Sequence, residues 1–323
     1  MSEIESVLHE SRRFQPTAEF QSKARLANEL TSERMYRESL EDPAGFWSRV
    51  ASELPWMQRW SQVLDWSDAP VARWFVGGKL NASQVCIDRH LEGPRADKTA
   101  LLFEGEPGDV RSLTYSELHA EVCRFANVLR SRGVRKGDRV ALYMPMIPEA
   151  VIAMHACARL GAAHSVVFAG FSAQALRERI EDGGCTAVIT ADGAWRRGSV
   201  LALKPQVDEA VEGLEAVSTV FVVRRTGQEV PWRSGRDVWV HELADGVPAE
   251  CEPEPMDSED VLFLLYTSGS TGKPKGIVHS TGGYMVGAYL SARYVFDLRE
   301  DDVYWCTADV GSVSYTHIRA HET

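Results

Sequence analysis

A chain of 323 residues that is 44% hydrophobic, 25% charged and 9% aromatic has the composition of an ordinary globular protein, which excludes disordered, collagen-like and disulfide-rich classes. At roughly 150 residues per domain the length suggests about two domains. A net charge of −11 supplies no general basic field, so neither nucleic acid nor an anionic membrane is expected as a partner. The start, Met1-Ser2-Glu3-Ile4-Glu5, is acidic and lacks the basic-then-apolar form of a secretion signal. The longest uncharged run, 160–176, is broken by His164, Ser165, Gly170, Ser172 and Gln174, so no membrane span is predicted. Cys86, Cys123, Cys157, Cys185, Cys251 and Cys306 are scattered, form no Cys-x-x-Cys pair and are expected to be reduced, buried thiols of a cytoplasmic protein. Asn81-Ala82-Ser83 matches a glycosylation sequon by chance in that setting.

Residues 1–30 are polar and read as a mobile leader. The composition changes from residue 43. Trp47, Trp56, Trp60, Trp66 and Trp74 join Phe46 and Phe75, and rings at this density predict a packed core or interface. Residues 31–95 are therefore expected to form an N-terminal cap on a larger domain. From 96 onward strands and helices alternate. A strand over 99–103 precedes a capping box, Thr114-Tyr115-Ser116-Glu117, which opens a helix ending at Gly133. Further strands are expected at 140–144, 166–168, 186–190, 219–223 and 261–266. Helices are expected from Pro148 to about 160, from Ser172 to about 182 and over 205–215. This repetition predicts an α/β fold of mainly parallel sheets wound with helices on both faces. The stretch 245–260 is acidic, contains Pro248, Pro253 and Pro255 and has no basic residue, so it reads as a solvated surface connection.

The segment after the last apolar strand is Tyr266-Thr267-Ser268-Gly269-Ser270-Thr271-Gly272-Lys273-Pro274-Lys275-Gly276. Glycines let backbone N–H groups approach a ligand, hydroxyls donate to phosphate oxygens, and two lysines supply positive charge in an acidic protein. That chemistry suits a triphosphate tail. A flexible Gly/Ser linker is the bland alternative, but linkers rarely follow a buried strand and rarely carry paired lysines. The segment is not a Walker A loop. That motif needs Gly where Thr267 stands and Ser or Thr where Pro274 stands, and the proline cannot lie inside a following helix.

The same segment resembles the phosphate loop of the adenylate-forming (AMP-forming) acyl-CoA ligases, and within them the acetyl-CoA synthetase family. The resemblance extends over about 43–311. It includes Trp74-Phe75-Val76-Gly77-Gly78-Lys79-Leu80-Asn81, Asp88-Arg89-His90-Leu91, Tyr143-Met144-Pro145-Met146-Ile147-Pro148-Glu149-Ala150 and Tyr304-Trp305-Cys306-Thr307-Ala308-Asp309-Val310-Gly311. It implies an AMP-binding domain over 96–311 and ATP, magnesium, coenzyme A and acetate as small-molecule partners. The implied reaction is adenylation of acetate followed by acyl transfer to coenzyme A. Thr267, Ser268, Gly269, Ser270, Thr271, Gly272, Lys273 and Lys275 are then expected to hold the phosphates. Similar ligases place a coenzyme A contact at the position of Arg196, with Arg197, Gly198 and Ser199 beside it. Some relatives have a second arginine where Ser199 stands.

Past Gly311 the sequence leaves the family pattern. Val313 and Ser314 are expected at acyl-pocket positions, and 312–323 is expected to be a non-native tail in which His317 and His321 form no metal site. The resemblance implies that the adenine and ribose contacts, the hinge and a C-terminal domain lie beyond this chain, leaving a truncated and inactive fragment. The alternatives are a ligase for propionate or another short acid, and a nucleotide-binding module without catalysis.

Overall fold

The computed structural model describes residues 14–267 and 274–311. Its centre is a seven-stranded sheet of β1 (Arg139–Tyr143), β2 (Ala163–Val166), β3 (Ala187–Ala191), β4 (Thr219–Val223), β5 (Asp237–Trp239), β6 (Val261–Thr267) and β7 (Lys275–Ser280). The order across the sheet is β5-β4-β3-β1-β2-β6-β7. The first six strands are parallel and β7 runs antiparallel to β6. The run Ala-Val-Ile-Thr-Ala of β3 and the run Thr-Val-Phe-Val-Val of β4 are buried along their whole length, as strands covered on both faces must be. The cover comes from α1 (Tyr115–Ser131), α2 (Pro148–Leu160) and α5 (Val240–Ala244), which pack together, and from α3 (Ala173–Gly183) and α4 (Lys204–Ala210), which form a second pair. A further helix, α6 (Thr281–Leu290), follows β7 directly.

Local chemistry explains the boundaries. The Thr114 hydroxyl accepts the Glu117 N–H at 3.2 Å and the Glu117 carboxylate accepts the Thr114 N–H at 2.8 Å, so the expected capping box opens α1. Pro148 occupies the first turn of α2, where its missing N–H costs nothing. β2 begins at Ala163, earlier than the expected strand at 166–168. The chain leaves α2 at Gly161 in a left-handed conformation and enters the register of β1 at once, so the polar pair His164-Ser165 lies inside the sheet. The expected helix over 205–215 is shorter and ends at Ala210.

A second apolar cluster contains Phe46, Phe75 and Leu80 with Trp47, Trp56, Trp60 and Trp74 around them, and it includes Leu262 of β6 and Met285 of α6. Trp66 does not join it and is 54% exposed. The leader gains local detail, and the expectation of six buried thiols is corrected. Residues 18–23, read as part of a mobile leader, form a helix capped by Thr17, and the Arg25 guanidinium binds the Asp297 carboxylate at 2.9 Å. Cys86 and Cys306 are exposed rather than buried, and all six thiols are free.

The acidic stretch 245–260 is also not simply solvated. The Asn127 amide donates to the carbonyls of Pro248 and Glu250 at 2.8 and 2.9 Å, and the Asn81 amide donates to Glu254 at 2.9 Å. The buried Arg159 donates to the Cys251 carbonyl and forms a two-pronged pair with Asp88 at 2.8 and 2.9 Å. Buried amide and guanidinium groups need acceptors, and this strap supplies them from its backbone. Its acidic side chains stay at the surface while several of its carbonyls and the side chains of Cys251, Met256 and Ser258 turn inward, and composition reports only the charge.

Candidate active site

The C-terminal ends of the six parallel strands lie along one edge of the sheet, and the chain reverses its winding around β1. Loops leaving such an edge build ligand sites in open α/β sheets. β6 brings Thr267 to this edge and β7 leaves from Lys275, with the two residues paired across the hairpin. Thr267 is half-buried and Lys275 exposed. Ser268, Gly269, Ser270, Thr271, Gly272 and Lys273 lie outside the described residues, as do Val313, Ser314 and the whole segment 312–323.

The base of the loop is fixed by Tyr266. Its hydroxyl donates to Asp182 of α3 at 2.6 Å, and the Arg179 guanidinium lies 4.7 Å from the Phe171 ring centroid and 5.7 Å from that of Tyr266. Burial, with the Asp182 carboxylate next, raises the Tyr266 pKa well above the ordinary phenol value, so the group remains a neutral donor. A Cβ at Gly276 would stand 3.1 Å from this ring. The glycine therefore makes room for Tyr266, whereas the sequence alone assigned the loop glycines to a ligand.

Arg196 ends the strand Gly193–Arg196, which pairs with Ser199–Ala202 through a two-residue turn. Both turn residues, Arg197 at φ 53° and Gly198 at φ 75°, are left-handed, as tight hairpins require. The Arg196 guanidinium lies over the Phe168 ring at 5.4 Å. Both residues line a cavity of about 280 Å³ together with Trp195, Gly170, Arg225 and Asp309. A Cβ on Gly170 would meet Arg196 Nη1 at 2.6 Å and the Phe168 ring at 2.4 Å, so glycine is needed for that stack. Of the residues expected beside Arg196, none of Arg197, Gly198 and Ser199 lines the cavity. Ser199 instead donates to the Arg196 carbonyl at 3.1 Å and braces the turn.

The cavity wall depends on Asp192. This buried carboxylate accepts N–H bonds from Gly193, Arg225, Thr226 and Gly227 at 2.7 to 3.1 Å and joins the loop after β3 to the loop after β4. Arg225 is held at the rim by Asp109 through contacts of 2.5 and 2.9 Å. Burial raises the Asp309 pKa above the usual carboxylate range, opposed by the Gly311 N–H at 2.8 Å. Sequence reasoning gave no role to Phe168, Arg225 or Asp309. They come from three separate loops, and no local spacing marks their convergence. Among the described residues no group of three or more His, Cys, Asp or Glu side chains could hold a metal ion, and no helix is long and apolar enough to cross a membrane.

The sequence matches the family described as AMP-binding enzyme over residues 87–315, and the family described as acetyl-coenzyme A synthetase N-terminus over 32–86. It is 52% identical over 320 residues to a protein of Gemmatimonas aurantiaca named acetyl-coenzyme A synthetase, covering 97% of this chain and 48% of the relative. A protein of the same name from Ralstonia nicotianae is 54% identical over 322 residues, covering 98% of this chain and 49% of the relative. Another from Streptomyces avermitilis is 53% identical over 312 residues, covering 96% and 47%. The chain thus spans about half the length of the curated relatives it matches.

Proposed function

The chain belongs to the AMP-binding enzyme family, and from that premise we propose that its sheet-edge site takes part in activating acetate with ATP and transferring the acetyl group to coenzyme A. In this reading a carboxylate oxygen of acetate attacks the α-phosphorus of ATP and pyrophosphate leaves. The coenzyme A thiol, losing its proton, then attacks the acyl carbon, and AMP leaves with the bridging oxygen. Thr267, Ser268, Ser270, Thr271, Lys273 and Lys275, with the N–H groups of Gly269 and Gly272, hold the β- and γ-phosphates. They make pyrophosphate a better leaving group by stabilising its charge. Magnesium enters as part of the nucleotide substrate. Arg196 on Phe168 receives the nucleotide end of coenzyme A, with the guanidinium available to phosphate and the ring to a base. Residues 96–311 carry these groups, residues 31–95 cap them, and the cytoplasm is the proposed location.

One observation supports the reading above the others. The ends of the hydroxyl- and lysine-bearing loop, Thr267 and Lys275, are paired at the same sheet edge onto which the Arg196 cavity opens. Both groups the reaction needs would then stand on loops of one sheet edge. The test joins residues 1–311 to the second half of the Gemmatimonas aurantiaca relative. This chimera is expected to exchange labelled pyrophosphate into ATP only when a short carboxylate is added, with acetate compared against propionate. Exchange without carboxylate, or none with any acid while the chimera is folded, overturns the adenylation reading. A clear preference for propionate overturns the choice of acetate.

A further inference from the structure

A second cavity of about 690 Å³ lies between β4, α1, α2 and α5, and the reaction proposed above gives it no role. Its volume is within the range of small-molecule sites, about 300–1,000 Å³. Val223, Arg224, Phe125, Ile152 and Val240 contribute to its lining. Three of its charged groups are already paired. Arg124 pairs with Glu121 at 3.0 Å, and Glu149 pairs with Arg111 at 2.5 Å. Arg224 forms no ion pair among the described residues. Although the residue is exposed, its guanidinium is oriented by the Trp239 ring, over which it lies at 4.8 Å. Trp239 stacks on Trp232 at 4.9 Å and 17°, and the buried Lys204 stands 5.9 Å from the Trp232 ring. Lys204 in turn is anchored by Asp208 and Asp237 at 2.7 and 2.8 Å.

This arrangement has a definite chemical consequence. With its Cζ over the indole and no side-chain hydrogen bond or ion pair among the described residues, Arg224 has N–H groups available to a ligand. A guanidinium held in that way presents a preset fork for a carboxylate and loses little side-chain freedom on binding. Phe125, Ile152 and Val240 offer an apolar wall for a carbon chain. Asp245 also lines the cavity and has no ion pair among the described residues, so a polyanion is repelled where a single charge is tolerated. We propose that this cavity is a second ligand site, specific for a small organic monocarboxylate that places its carboxylate on Arg224 and its hydrocarbon part against Phe125, Ile152 and Val240. It is separate from the phosphate-loop and Arg196 region and does not depend on the function assigned there.

The test is a tryptophan-fluorescence titration of the 323-residue chain with hexanoate, with inorganic phosphate and ATP as comparisons. Hexanoate is expected to give a saturable change through Trp239, and phosphate to give none at the same concentration. Arg224→Ala is expected to weaken hexanoate binding at least tenfold. Arg224→Lys keeps the charge and loses the fork, and it is expected to weaken binding as well, with circular dichroism confirming that both variants are folded. No saturable response, equal affinity in folded Arg224→Ala, or tighter binding of phosphate than of hexanoate overturns the proposal. Loss of hexanoate binding in Arg196→Ala with retention in Arg224→Ala assigns the ligand to the first cavity and overturns it too.

Discussion

Lys273 and Arg196 are cations that the proposed reaction uses at opposite ends of its course. Lys273 meets charge that grows on the leaving pyrophosphate, so its contact strengthens as the phosphoryl bond breaks. Removing one such charged contact costs a few kcal/mol, on the order of a hundredfold or more in rate. Lys273→Ala in the chimera is therefore expected to slow pyrophosphate exchange by about that factor while leaving the Arg196 cavity intact. Unchanged exchange kinetics would refute the assigned role. Arg196 contacts no reacting atom in this reading. Arg196→Ala is expected to raise the Michaelis constant for coenzyme A and spare pyrophosphate exchange, because adenylation precedes the thiol step. The sequence marks the loop and Arg196 as contiguous stretches, the loop by residue types that suit phosphate and Arg196 by the family resemblance, and the structure shows Arg196 lining a cavity. Phe168, Arg225 and Asp309 were not legible, because their role depends on three loops meeting. Arg197 and Ser199 are adjacent to Arg196 in sequence, yet the hairpin turn carries them away from the cavity.

At the scale of elements, the parallel strands were readable where they are short apolar runs between helices, and β2 was misplaced because its residues are polar. His164 and Ser165 give no strand signal, and the early start is imposed by pairing with β1. The polar strand carries a measurable cost. His164 is buried, its Nδ1 has no hydrogen-bond partner, and it stacks on Phe263 of β6, which stacks in turn on His279 of β7. Burial, with nearby His155 adding to it, lowers the His164 pKa from 6.5 to about 3. In the unfolded chain the same imidazole takes up a proton near pH 6.5. Between pH 6.5 and about 3 the unfolded state thus binds the extra proton, and stability falls as pH falls, by about 1.4 kcal/mol per unit well inside that window. Above pH 6.5 the contribution is constant. His164→Leu is expected to flatten this part of the stability-against-pH curve, measured by denaturant unfolding, and to change stability little at pH 7.5. An unchanged slope between pH 6 and 4.5 would show that His164 is solvated or paired in the folded state.

Several large apolar side chains near the C-terminal end of the described residues are exposed. β7 is the edge of the sheet, and Ile277 and Val278 on it are exposed. Past α6, Phe296, Val303, Tyr304 and Trp305 are also exposed, Trp305 at 82%. Single exposed apolar residues are ordinary, but an open strand edge, in a chain that also exposes several large apolar side chains, invites further chain to pair with it. The composition could not reveal this, since a 44% hydrophobic content is the same whether the residues are covered or not. The relatives have about as many residues again beyond those this chain matches, and catalysis by positioning loses most of its power when part of a site is missing. A polypeptide of these 323 residues alone is therefore expected to self-associate through the β7 side and to form no thioester from acetate, ATP, magnesium and coenzyme A. The chimera, in which further chain can cover that side, is expected to be less aggregated by light scattering and to form acetyl-CoA. Replacing Ile277 and Val278 by threonine in the 323-residue chain is expected to reduce its association without giving activity, which separates the two effects. Turnover by the 323-residue chain comparable to that of the chimera would mean that the residues in hand complete the site.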